Sequence, residues 1–239
     1  MKRLIVGSLL STLILASCGK DDVIVEPLPS FPAVTTVSGT VHLGTQMDGT
    51  TTNAHTDADA AGKTLKVFVN SSAGDGTSTT TTVGSDLKYT VTLPTPKDTE
   101  LTPLDFSMFD TCTFTKKFVT EGTRGSGANF TLEAHPDTPH YLMPALLVRS
   151  GANATGTTMG VSYVNQDSRV TIAGTCKSPD SKTTMTLDLD VTFKKGWNIV
   201  KQVTTRVANG DGTNTDTYTA TNASGPVDLY ATFQYHLAP

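Results

Sequence analysis

The chain is short of charge, of helical pattern and of long apolar runs. Only 17% of its 239 residues are Asp, Glu, Lys or Arg, and the formal net charge is −4. No basic cluster interrupts that mild acidity, which argues against nucleic acid or an anionic lipid surface as partner. No apolar run is long enough to cross a bilayer stably as a helix. No stretch carries a convincing helical period, so the expected fold class is all-β. Signatures of chemistry are missing as well. There is no Gly-x-Ser-x-Gly elbow, and Ser126 in Arg124-Gly125-Ser126-Gly127 has no strand-to-helix setting. No glycine-rich loop leads into a helix to cradle a phosphate, and no Cys-x-x-Cys pair offers a zinc site. The chain therefore reads as a non-enzyme without a cofactor.

What is abundant is threonine, 44 residues of 239. Its β-branch favours strands and its hydroxyl suits the wet face of a sheet. Few Lys and Glu, many Thr and scattered Gly describe an exported β protein.

The first residues supply an address. Met1-Lys2-Arg3 is a basic head, and the apolar segment after it runs to Leu15. Leu15-Ala16-Ser17-Cys18 follows, and Lys20-Asp21-Asp22 ends the run. This is the layout of a secretory signal over residues 1–17. The Cys after Leu-Ala-Ser resembles a bacterial lipobox. That resemblance implies cleavage before Cys18 and lipidation of its thiol and new amino group. Stable anchoring takes two chains or more, at about 0.8 kcal/mol per buried methylene. The implied location is a bacterial cell envelope, with the membrane as partner through the lipid. Gly19 is not the Asp that by family analogy signals inner-membrane retention. Loss of Lys2 and Arg3 takes the formal charge from −4 to −6. Residues 18–33 hold Pro27, Pro29 and Pro32 and read as an extended tether.

From residue 34 the pattern alternates. Thr36-Val37-Ser38-Gly39-Thr40-Val41-His42-Leu43 is a strand with His42 on its polar side, and residues 44–62 read as a loop. Lys63-Thr64-Leu65-Lys66-Val67-Phe68-Val69, residues 77–83 and Leu87-Lys88-Tyr89-Thr90-Val91-Thr92-Leu93 are three more strands. Ser38-Gly39-Thr40-Val41, Ala61-Gly62-Lys63-Thr64-Leu65-Lys66-Val67 and residues 86–94 together resemble the carboxypeptidase-regulatory-like, prealbumin-type β module. The last turn reads Asp86-Leu87-Lys88-Tyr89 where the family has Asp-Gly-Tyr. The resemblance implies a small sandwich over residues 34–96 with a stalk or adaptor role.

Residues 97–104 read as a linker, and residues 105–239 as a larger antiparallel β-sandwich domain. Residues 112–119 and 129–133 alternate, and Pro144 marks an edge or bulge in the apolar residues 141–149. Residues 159–164 and 169–176 suggest a hairpin around Asn165-Gln166-Asp167-Ser168. Met185-Thr186-Leu187-Asp188-Leu189-Asp190-Val191-Thr192-Phe193 sets five apolar residues against four polar ones, the wall of a sandwich. Lys194-Lys195-Gly196 turns it back into Trp197-Asn198-Ile199-Val200. That hairpin resembles one recurring in uncharacterised bacterial lipoproteins, which implies no activity. Asn209-Gly210-Asp211-Gly212 is a hairpin turn, and residues 227–235 form the last strand.

Candidate sites remain few. Cys112 and Cys176 are an even pair in an oxidising compartment and are expected to be bridged, against two free thiols or a metal pair. His135 and His140 flank Pro136-Asp137-Thr138-Pro139 and would hold a divalent metal only in a suitably shaped loop. Asp188 and Asp190 share one strand face, as paired glycosidase carboxylates would, but also as ordinary solvent-facing charges do. Asp48, Asp57 and Asp59 crowd one loop, and Asn209, Asp211, Asn214 and Asp216 another. These are weak calcium candidates that double as default turn residues. Trp197 reads as a core anchor, with ligand stacking as the alternative. The expected role is structural, adhesive or binding, with an envelope protein or glycan as partner. The alternatives are carbohydrate- or calcium-dependent ligand binding, and a hydrolase with a non-standard site.

Overall fold

The computed structural model describes residues 31–46, 56–71, 74–104, 112–133, 140–178 and 182–231. The signal, Cys18 and the first part of the tether lie outside them. The described chain is all-β, with two short 3-10 turns at Asp57–Ala60 and Asp98–Glu100.

Four strands form the N-terminal part: β1 (Thr36–Gln46), β2 (Thr64–Ser71), β3 (Gly74–Thr82) and β4 (Lys88–Thr92). Next come β5 (Thr102–Pro103), β6 (Thr113–Val119), β7 (Arg124–Leu132), β8 (His140–Met143) and β9 (Ala145–Ser150). Then follow β10 (Asn153–Val164), β11 (Ser168–Lys177), β12 (Thr183–Phe193), β13 (Gly196–Ala208), β14 (Asn214–Asn222) and β15 (Leu229–Ala231). Pro144 parts β8 from β9, as a residue without an N–H donor does in a ladder. Leu87 holds a left-handed φ of 66° at the turn into β4, where the prealbumin-type pattern has glycine.

The sheet runs β4-β1-β15-β8-β7-β10-β13-β14-β12-β11-β6, with β2 joined to β7, β3 to β2, β5 to β7 and β9 to β10. Most pairings are antiparallel, but β1 with β15 and β12 with β14 are parallel. Two hairpins expected from the sequence are therefore corrected. The 165–168 turn does not pair β10 with β11. Arg124 and Asn165 exchange hydrogen bonds instead, so β10 joins β7, while β11 joins β12 and β6. Likewise Lys194-Lys195-Gly196 does not pair β12 with β13, because β14 lies between them. Asn222 closes that end of β14, accepting from the Thr192 N–H and donating to the Thr192 carbonyl.

The 97–104 segment does not separate two cores either. Leu101 is buried in it, and β5 pairs with β7. The first core gathers Val41, Leu65, Val67 and Val91 from the N-terminal strands with Phe130, Leu142, Val161, Trp197 and Leu229 from far along the chain. The second gathers Val164, Val170, Ile172, Leu187, Leu189 and Val200. Strand alternation makes β10 and β13 the common wall. Val161 and Ile199 point into the first core, while Val164 and Val200 point into the second. Trp197 anchors the junction. It is 4% exposed, its indole N–H donates to the Pro94 carbonyl at 2.7 Å, and it meets the Tyr163 ring edge-on. Tyr89 ties the ends together, its hydroxyl donating to the Val227 carbonyl at 2.6 Å.

Cys112 and Cys176 are joined by a disulfide at the margin of the second core. It fastens the start of β6, which among the described strands pairs with β11 alone. Lys116, Lys117 and a register shift opposite Ala173 and Gly174 make this strand a poor template for another chain.

Candidate functional site

The second core is incompletely filled. Along β10 the positions on the face of Val164 are otherwise small: Ala154, Gly156, Thr158, Gly160 and Ser162. Their cross-strand partners on β13 are Arg206, Thr204, Gln202, Val200 and Asn198. A Cβ on Gly156 would meet Leu147 at 3.5 Å, and one on Gly160 would meet the Val200 carbonyl at 3.6 Å, both ordinary contacts. Further along, where Ser162 pairs with Gly127 of β7, a cavity of about 460 Å³ opens, lined among others by these two residues, Leu189, Phe193, Gln202 and Tyr218. Most of the lining is aliphatic or aromatic. Tyr218 reaches it from β14, and burial pushes its phenol pKa up. Gln202 and Tyr218 are the polar groups placed to orient a guest.

A second, separate cavity of about 330 Å³ lies at the far end of β10. Thr204 lines it and is the cross-strand partner of Tyr218 in the first cavity. Arg149, Arg206 and Asp216 also line it. The Asp216 side chain is 4% exposed and takes a two-pronged ion pair from Arg206, with Nε and Nη2 at 2.9 and 2.7 Å. That pairing raises the guanidinium pKa further and neutralises the buried carboxylate.

A polar cluster stands at the other end of the molecule. His42, expected on an exposed strand face, is half-buried. Its ring stacks on Tyr230 with centroids 4.9 Å apart, and its Nδ1 lies 3.3 Å from Asp57 Oδ2. Asp57 Oδ1 accepts the Gly44 N–H at 2.7 Å. Burial, and secondarily Asp228, push the Tyr230 phenol pKa up. The arrangement fastens the 3-10 turn at Asp57–Ala60 onto β1.

The weak calcium candidates are not gathered into shells. Asp57 faces Gly44 and His42, and Asp59 accepts from the Thr56 N–H. Asp211 caps Thr213 in the exposed hairpin turn, while Asp216 points inward to Arg206. Among the described residues no three His, Cys, Asp or Glu side chains converge on one point. Asp188 and Asp190 share a strand face, but Asp190 is held by Arg169 at 3.2 Å on each of two nitrogens. Cys18, Asp48, His55, His135 and His236 lie outside the described residues, as does the side chain of His140. Among the described residues no helix is long and apolar enough to cross a membrane.

Neither the family models, the curated proteins nor the solved structures offer a match to this chain. The cavity escaped sequence reasoning. Its lining comes from β5, β7, β10, β11, β12, β13 and β14 and from Leu104, so no single stretch of sequence marks it.

Proposed function

We propose that this protein is a lipid-anchored binding protein of a bacterial cell envelope, without catalysis, that holds a small, largely apolar ligand in the β-walled cavity. The address rests on the signal-like first residues and on the lipobox-like Leu15-Ala16-Ser17-Cys18. An adaptor or stalk role for the N-terminal strands rests on their prealbumin-type resemblance. The observation that carries the binding role is the 460 Å³ cavity, within the ~300–1,000 Å³ range of small-molecule sites. Its lining is mainly apolar, with Gln202 and Tyr218 as the orienting polar groups, the usual chemistry of such a pocket. Glycan binding is the second reading. Tyr218 and Gln202 favour it, but the aliphatic residues Leu104, Val164, Val170, Leu189, Val191 and Val200 in the wall suit a hydrocarbon better than a sugar face.

Two experiments test the proposal. Cys18→Ser should release the protein from the membrane fraction, and retention there would refute the lipid anchor. The purified chain from residue 19 should bind the neutral fluorophore N-phenyl-1-naphthylamine saturably at one site. Ser162→Leu, at a position that lines the cavity, should abolish that binding while far-UV circular dichroism stays unchanged. Unsaturable binding, or binding indifferent to Ser162→Leu in a folded variant, would refute the cavity as the site.

A further inference from the structure

We infer that the ligand is amphipathic and anionic, a carboxylate-headed molecule of the fatty-acid class, with its head between Arg149 and Arg206. This inference rests on the binding reading above and adds the chemistry of the guest.

The argument starts from register. Arg149 on β9 pairs with Ala154 on β10, and Ala154 pairs with Arg206 on β13. Partners across a ladder share a face, so the two guanidinium-bearing residues flank the short Ala154 side chain. They stand two strand spacings apart, roughly 10 Å. Both line the 330 Å³ cavity. Asp216 neutralises Arg206 through Nε and Nη2, leaving Nη1 out of the pair. Arg149 has no hydrogen bond or ion pair with any described residue. The cavity therefore carries one positive charge in excess, with unused N–H donors on both sides of Ala154. A planar carboxylate matches that donor geometry better than a hydroxyl or a neutral amide.

The other end of the space is apolar. From the Arg206 row the inner face of β13 runs through Thr204 and Gln202 to Val200, six residues or about 20 Å. Its polarity falls along the way, and the last rows meet Leu189, Val191 and Phe193. A charged head at one end and an aliphatic wall at the other fit an acyl chain lying along β10. Leu147 beside Gly156 and Gln202 beside Gly160 are the side chains it would pass.

The test is displacement of N-phenyl-1-naphthylamine from the soluble chain, with dodecanoate compared with dodecanol at pH 8 and low salt. Dodecanoate should displace the probe at a concentration at least fivefold lower than dodecanol. Arg149→Gln should bring the two into line by weakening dodecanoate alone, and added salt should erode the preference. Equal displacement by both in the wild type would refute the anionic head and leave the apolar cavity standing. If the probe binds but neither compound displaces it, the acyl-chain class is wrong. If the probe itself fails to bind, the cavity reading falls first. Arg149 is exposed and has no described partner, so its loss leaves the fold intact, and thermal melting of the variant checks this.

Discussion

The two cores share β10 and β13, so the molecule should unfold as one unit, and the disulfide offers a way to test this from a distance. Cys112 and Cys176 are 64 residues apart and border the second core. Trp197, the chain's one tryptophan, is buried in the first. In the chain-entropy model a loop of this length gives about 4 kcal/mol of stability. With a urea slope of about 2–3 kcal/mol/M for a chain of this size, removing the bridge lowers the midpoint by roughly 1.3–2 M. The assay is equilibrium urea unfolding of the Cys112→Ser, Cys176→Ser double variant, followed by Trp197 fluorescence and by far-UV circular dichroism. Both transitions should move together by that amount, because Ile199 and Val200 are neighbours on one strand that serve different cores. The reasoning is refuted if the Trp197 transition stays in place while the circular dichroism transition shifts or splits. That result would mean that residues 34–96 and their partners hold together independently of the disulfide-bearing part.

Three further outcomes follow from the geometry. Gly39→Ala puts a Cβ 2.2 Å from the Val227 carbonyl oxygen at the β1–β15 junction, and should cost about 3 kcal/mol in urea unfolding. Gly160→Ala meets the Val200 carbonyl only at 3.6 Å and should stay within about 1 kcal/mol of wild type; equal costs for the two would contradict the packing argument. Arg206→Ala strands the buried Asp216 carboxylate and should cost about 3 kcal/mol at pH 7, with Asp216→Asn in the same chain recovering part of the loss. Tyr89→Phe leaves the Val227 carbonyl without its donor and should cost about 1–2 kcal/mol. Burial, then Asp228, raise the Tyr89 phenol pKa well above its ordinary value near 10. Above pH ~10 the unfolded phenol ionises while the folded one keeps its proton, so stability is full below that pH and falls as pH rises. Thermal melts from pH 9 to 11 should show a shallower decline for Tyr89→Phe, with Tyr218 and Tyr230 sustaining the remainder.

Local features of the chain were legible because their physics is local. Alternation in Met185-Thr186-Leu187-Asp188-Leu189-Asp190-Val191-Thr192-Phe193 names a strand and its buried face whatever lies beside it, and β12 occupies those residues. Asn209-Gly210-Asp211-Gly212 is a turn because Gly212 alone tolerates its φ of 81° there without a Cβ penalty. The pairing of Cys112 with Cys176 was legible from their even number, and the burial of Trp197 from the reluctance of an isolated large ring to stay in water. Pairing between strands is a different matter. Every strand of this threonine-rich chain offers similar edges, so sequence neighbours looked like partners where β14 in fact enters between β12 and β13. The His42 ring likewise gained its stacking partner, Tyr230, from nearly two hundred residues away.

The amino-acid sequence by itself determined the all-β class, many of the strand faces, the turns and the cysteine pair. Each of these depends on residues within one segment or on composition. Only the tertiary structure decided that one pair of strands would wall two cores, that two arginines would flank Ala154, and that Ser162 and Gly127 would meet residues of β11 to β14 around a cavity. A void is the difference between the volume that surrounding strands enclose and the side chains they bring to it, and that difference exists only once distant segments have met.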